Sequence, residues 1–243
     1  MKNKHLYTVI FTFMSLCLMA QSKKFTVKSF KKIIISPHIE VEFKKGDNEL
    51  VEIIENHSGL NIDVKGKTLH LYLNDAKISS PTKKIKVNGH TQKVPIYKET
   101  LVKAIITYKN VETFALRGEQ DFLFKSPIVQ DKLTLNIYGE PDVTLENIEL
   151  KKMKTTLYGA GKFSIAKGKV DEQKYTVYGE ARIKVSEVKS NQTKVLAYGD
   201  ANVKVNVSER LKVTSYGEAK VYYKGSPKIS KGIIIGSTII EAL

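Results

Sequence analysis

Four related triplets carry the residues of this chain best suited to chemistry: Lys154/Thr156/Tyr158, Lys174/Thr176/Tyr178, Lys194/Leu196/Tyr198 and Lys212/Thr214/Tyr216. Alternate residues of an extended strand share a face, so each triplet presents an ammonium group and a phenol on one side, with a hydroxyl between them in three cases. Stacked in register, the lysines would form a column able to meet carboxylates or phosphates. The tyrosines would form a second column, able to stack on sugar faces and donate their hydroxyls. That is the chemistry of a strip for an anionic or glycan-rich surface, and its candidate residues are Lys154, Lys174, Lys194, Lys212, Tyr158, Tyr178, Tyr198 and Tyr216. The same columns have a structural account, since aromatic ladders stabilise neighbouring turns and exposed strands favour Thr and Tyr.

Other arrangements of reactive residues point less far. A second column, Glu119, Glu140, Ala160, Glu180, Asp200 and Glu218, would stack carboxylates that repel one another unless something compensates. Calcium could do so, but Lys162, Arg182 and Lys220 stand two residues on and supply simpler compensation. The signature of calcium-binding nine-residue β-rolls is absent. The histidines His5, His38, His57, His70 and His90 are scattered without metal-ligand spacing and read as ordinary surface or strand residues. Glu119/Asp121 and Glu140/Asp142 could be cast as the acid pairs of a glycan-cleaving β-helix, yet they recur as part of a repeat, which favours structural placement. No phosphate-binding glycine loop precedes a helix, and no serine occupies a nucleophile elbow. The expectation is a protein that is not an enzyme, with no catalytic residues, metal or cofactor.

The elements that position these columns follow from a repeat. Arg117-Gly118, Tyr138-Gly139, Tyr158-Gly159, Tyr178-Gly179, Tyr198-Gly199 and Tyr216-Gly217 recur at intervals of 21, 20, 20, 20 and 18 residues. Such a period denotes stacked units, none of which buries its own apolar face. Four and six residues after each glycine stand Phe122/Phe124, Val143/Leu145, Phe163/Ile165, Ile183/Val185, Val203/Val205 and Val221/Tyr223. Two and four before it stand Leu116/Phe114, Ile137/Leu135, Leu157/Thr155, Val177/Tyr175, Ala197/Val195 and Ser215/Val213. Both sets are expected to point inward from two short strands per turn, bent at a glycine whose backbone excludes a side chain. The fold class is therefore all-β, a parallel β-helix or β-solenoid with turns of about 20 residues.

Upstream, short alternating runs such as His38–Phe43, Leu60–Val64 and Leu69–Leu73 read as further strands. Residues 79–97 form a hairpin excursion around Asn88-Gly89, a strong type I′ signal, and residues 228–243 an apolar tail that caps the solenoid or meets a partner. Lys2 and Lys4, the apolar run Leu6–Leu18 and Leu18-Met19-Ala20 read as a signal peptide over residues 1–20, leaving one domain over residues 21–243. Cys17, the only cysteine, falls in that signal, so the exported chain would hold no disulfide. The formal net charge of +15 suits an exported protein that meets lipid head groups, lipopolysaccharide or acidic polysaccharide. Nucleic acid is not an expected partner. The periplasm, the outer-membrane surface and secretion are all open destinations.

From Phe30 to Pro227 the chain resembles a family of bacterial exported proteins, the putative auto-transporter adhesins with a head GIN domain. The resemblance is carried by Phe30–Asp47, by Leu101–Gly118 and by the repeated turn in which glycine is followed by a polar stretch and then alternating apolar residues. It implies a β-helical fold at the cell envelope, with no enzymatic activity or catalytic residues to carry over. The family commonly places Ser before the repeat glycine, whereas this chain has Tyr in five turns and Arg117 in the first. Three functions follow as expectations: an adhesin-like module binding an anionic or glycan-rich surface such as acidic polysaccharide, a structural or self-associating module, and a glycan-cleaving enzyme.

Overall fold

Glycine marks a corner of each coil because the next coil leaves no room for a side chain. Gly118, Gly139, Gly159, Gly179, Gly199 and Gly217 all have positive φ, and a Cβ on Gly179 would lie 2.6 Å from the carbonyl oxygen of Gly159 one coil away. Glycine therefore stacks on glycine, and the chain turns at the same point in every repeat.

The structure, a computed structural model, describes residues 22–243, and the signal peptide read at residues 1–20 lies outside the described residues. Among the described residues there are strands, turns and loops but no helix, and hence no helix able to cross a membrane. The strands before the glycines pair in parallel, from Thr113–Gly118 through Ile128–Gly139, Ile148–Gly159, Gly168–Tyr178, Ala181–Tyr198 and Ala201–Tyr216 to Lys228–Ile235. Those after the glycines form a second parallel ladder, from Asp121–Phe124 to Thr238–Ala242. The coils make a β-solenoid, as the repeat predicts.

The expectation of two strands per turn needs correction, because a third closes the repeat coils. Ile128–Gln130 pairs with Ile148–Leu150, which pairs with Gly168–Val170 and then Val188–Ser190. Ile128, Ile148, Leu150, Val170 and Val188 are buried along this side, so it contributes its own wall to the core. The coils from Ile128 to Val207 are thus three-sided, and the pairing register skips Asp131, Lys151 and Asp171 where the chain passes from this side to the lysine-bearing strands. The 18-residue interval between Tyr198 and Tyr216 is absorbed here: the register shifts between Lys184 and Lys189 and again between Ser190 and Gln192.

Both inward sets are buried as expected, except that Tyr223 in the last of them is only partly covered. Toward the middle the interior is polar. Tyr175 donates its hydroxyl to Gln173 Oε1 at 2.7 Å, and Gln173 Nε2 donates to Ser190 Oγ at 3.1 Å and Thr193 Oγ1 at 2.8 Å. Burial pushes the Tyr175 phenol well above its ordinary pKa, so it remains a donor in this network.

At the N-terminal end Lys32–Ile35 and Ile39–Lys45 make one more coil, stacked on Thr113–Leu116 and Phe122–Phe124. Thr68–Leu73 and Val102–Tyr108 extend the two ladders in parallel. Antiparallel strands then end the stacking: Leu60–Lys65 on one side, Leu50–Glu55 and Lys23–Thr26 on the other. The excursion before Val102 contains Thr82–Val87 and His90–Pro95, a hairpin that forms its own two-stranded sheet. Asn88 and Gly89 have φ of 49° and 78°, as a type I′ turn requires.

Candidate functional site

The pairing register assembles the predicted strip. Lys154, Lys174, Lys194 and Lys212 stand opposite one another on successive coils, as do Thr156, Thr176, Leu196 and Thr214. Tyr158, Tyr178, Tyr198 and Tyr216 do the same, and Tyr138 adds a fifth member to their column. Thr156 and Thr176 are only 5% and 6% exposed although they face outward, because the larger columns on either side cover them. They form the floor of a trough walled by lysine and tyrosine.

The tyrosine column behaves differently from the sequence expectation of sugar stacking. Ring centroids follow one another at 4.9, 4.9, 4.9 and 5.1 Å from Tyr138 to Tyr216, with planes within 9° of parallel. Each inner ring therefore commits both faces to its neighbours, and what the column offers a ligand is a row of edges and hydroxyls. Arg117 closes one end. Its guanidinium lies 5.3 Å from the Tyr138 ring centroid, while Nη1 donates to the Lys77 carbonyl at 3.0 Å. The residue that breaks the Tyr-Gly phrase is thus the cap of the stack, a role that no local pattern announces.

The lysine column lacks the partners its neighbours have. Lys151 pairs with Asp131, Lys152 with Glu172 and Lys169 with Glu149, whereas no ion pair among the described residues involves Lys154, Lys174, Lys194 or Lys212. Lys174 shows the consequence: partial burial, and then the charges of Lys194 and Lys154, hold its pKa below the ordinary lysine value. The four lysines line a groove with Lys132, Lys152 and Arg210, in which Glu172 is the single carboxylate.

The acidic column lies across the glycine corner. Glu140, Glu180, Asp200 and Glu218 line a shallow groove with Lys162, Arg182 and Lys220, so the basic residues expected to compensate them are neighbours. Among the described residues no ion pair joins the two sets, and no cluster of His, Cys, Asp and Glu is able to hold a metal. Asp121 and Asp142 pair in register with Lys162 and Arg182 on later coils, which makes them members of a mixed column.

Two histidines do more than the sequence suggested. His38 occupies a coil corner with φ of 69°, one residue past Pro37, which stands where the later repeats have glycine. Its Nδ1 donates to the Glu99 carbonyl at 2.8 Å, leaving Nε2 to accept from Ser80 Oγ at 2.8 Å, and its backbone N–H donates to Gln120 Oε1. His70 Nε2 lies 2.9 Å from Ser36 Oγ, whose own proton goes to the Lys77 carbonyl at 2.7 Å. Ser36 is fully buried with its proton committed to a carbonyl, so the pair pins the excursion to the coils and offers no nucleophile. Burial, Arg117 and Lys77 lower the His70 pKa against the opposing pull of Asp63.

Residues 29–227 match the family described as putative auto-transporter adhesin, head GIN domain. The chain belongs to that family. Its adhesin-like character implies an exported or surface protein. Solved structures share the fold. A putative adhesin from Bacteroides fragilis NCTC 9343 aligns with a TM-score of 0.76 at 19% identity, covering 92% of this chain and 96% of that one. A putative lipid binding protein from Parabacteroides distasonis ATCC 8503 aligns at 0.64 and 20%, with coverage of 92% and 96%. A putative adhesin from Parabacteroides merdae ATCC 43184 aligns at 0.60 and 20%, with coverage of 92% and 95%. At these identities the likeness is one of fold. No curated protein matches the chain.

Proposed function

We propose that this protein is a non-catalytic, adhesin-like β-solenoid of the cell envelope that binds an acidic polysaccharide or comparable anionic glycan along the lysine column. The observation that carries this reading is the stacking of Lys154, Lys174, Lys194 and Lys212 in register without a carboxylate partner, beside Lys151, Lys152 and Lys169, which are paired. Like charges so arranged repel one another, and a linear polyanion lying along the column relieves that repulsion at every coil. The threonine floor and the tyrosine hydroxyls of Tyr158, Tyr178, Tyr198 and Tyr216 supply hydrogen bonds to a glycan beside it. Charge reversal tests the reading: Lys174→Glu, Lys194→Glu and Lys212→Glu together are expected to abolish retention on immobilised polygalacturonate at low salt. Retention unchanged in a folded triple variant overturns it.

A second reading, self-association, is favoured by the last coil, where Ile229, Ile233 and Ile235 are 37%, 58% and 59% exposed. Long apolar edge strands invite pairing with another chain. Deleting Lys231–Leu243 is expected to convert an associated species to monomer in sedimentation velocity. A full-length protein that is already monomeric removes the basis for this reading.

A further inference from the structure

We propose that the hairpin Thr82–Pro95 is an arm that docks on an anionic phospholipid bilayer, separately from the lysine column. Between Asp75 and Glu99 the chain carries six lysines, Lys77, Lys83, Lys84, Lys86, Lys93 and Lys98, and no carboxylate. The hairpin pairs with no other strand, and its register sorts its side chains into two faces. Lys84 stands opposite Lys93 and Lys86 opposite Thr91, so one face is basic. Ile85, Val87 and Val94 share the other face with Lys83, His90 and Gln92.

An isolated two-stranded hairpin is marginal in water, and like charges directly opposite weaken it further. No ion pair among the described residues offsets these lysines. The base of the hairpin is tied by the Ile96 N–H, which donates to the Pro81 carbonyl at 2.8 Å, and Ile85 and Val94 line an open groove with His57, Tyr97 and Leu101. Val87, beside the Asn88-Gly89 turn, is 39% exposed, and Ile78 and Ile96 near the root are 75% and 48% exposed.

Lysines that lack internal partners match phosphate head groups, and an apolar residue at the tip matches the boundary of the acyl layer. Together, exposed Ile78, Val87 and Ile96 favour lipid over polysaccharide, because a hydrated polyanion offers apolar side chains nothing to enter.

The chain contains no tryptophan, so Val87→Trp gives a unique fluorescent reporter. The full-length protein is mixed with vesicles of phosphatidylcholine alone or of phosphatidylcholine with phosphatidylglycerol, the neutral vesicles serving as the reference for any contribution of the N-terminal segment. Binding stronger on the anionic vesicles is expected, with a blue shift of the reporter's emission there and none with soluble polygalacturonate. Lys84→Gln, Lys86→Gln and Lys93→Gln together are expected to weaken anionic-vesicle binding about a hundredfold. The same change at Lys174, Lys194 and Lys212 should leave it within about twofold, since a bilayer reached by the arm does not depend on the column. Equal binding to both vesicle types, equal loss from both triple variants, or a shift of the reporter with polygalacturonate overturns the proposal.

Discussion

Gly179 and Lys174 sit on the same coil and show how differently single residues report on this fold. Gly179 has φ of 119° and faces the Gly159 carbonyl, so Gly179→Ala combines backbone strain with a backbone clash. A loss of about 3 kcal/mol is expected in urea unfolding. Gly66→Ala, at φ of 58° with open space around it, should cost about 1 kcal/mol. Equal costs would mean that stacking of glycine on glycine does not set the corner. Lys174 is a charge disfavoured by its surroundings, and its folded-state pKa lies below the unfolded one. Its penalty on folding is therefore complete below the folded pKa and disappears as pH rises through that value toward the ordinary lysine range. Lys174→Gln is expected to stabilise the protein at neutral pH, by under about 1 kcal/mol for a group that is only partly buried, with the gain shrinking in alkali. Lys152→Gln, which gives up the pair with Glu172, should bring no gain. Thermal unfolding of the two variants across pH separates these outcomes.

Among the elements, the tyrosine column and the lysine column are built by one set of strands yet have opposite energetics. The stacked rings attract at each step, and Arg117 completes the last face. The ammonium groups repel at each step. Tyr178→Ala removes two stacking partners at once and is expected to cost about 2 kcal/mol, whereas Tyr178→Phe keeps the stack and should cost little. If polygalacturonate retention falls in Tyr178→Phe while the unfolding midpoint holds, the hydroxyl row contributes to binding; if neither moves, the column is a spine only. The columns themselves were legible because period-two alternation and a 20-residue repeat together specify face and register. The use of the ring faces was not legible, since ring orientation depends on how closely adjacent coils approach.

For the whole molecule, the two ends are finished differently. At the N-terminal end antiparallel strands close both ladders, and His38, Ser36, His70 and Arg117 fasten the excursion across them. The C-terminal coil packs on one side only and leaves its isoleucines half-exposed. In a stack whose units contact only their neighbours, stability declines toward an end that lacks a neighbour. Amide exchange is therefore expected to be slowest between Leu135 and Val177 and to quicken progressively through Ile229–Ile240. Uniform protection along the chain would show that the solenoid opens as one unit. The fastening at the N-terminal end could not be read in advance, because His38 contacts Ser80 and Gln120 across 42 and 82 residues of sequence.

By itself the sequence determined which repeat residues face inward and which outward, the bend at each repeat glycine and which columns form, because alternation and glycine's backbone freedom are local properties repeated at a fixed interval. It also carried the hairpin, since Asn-Gly between strand-like runs is a local turn signal. Only the tertiary structure decided that the repeat coils have a third side, that tyrosine faces are covered by other tyrosines, that Arg117 caps them and that the four lysines of the column lack carboxylate partners. Those outcomes depend on distances between side chains on successive coils, and a one-dimensional pattern holds the order of the residues but not the separations across which they attract, repel or exclude one another.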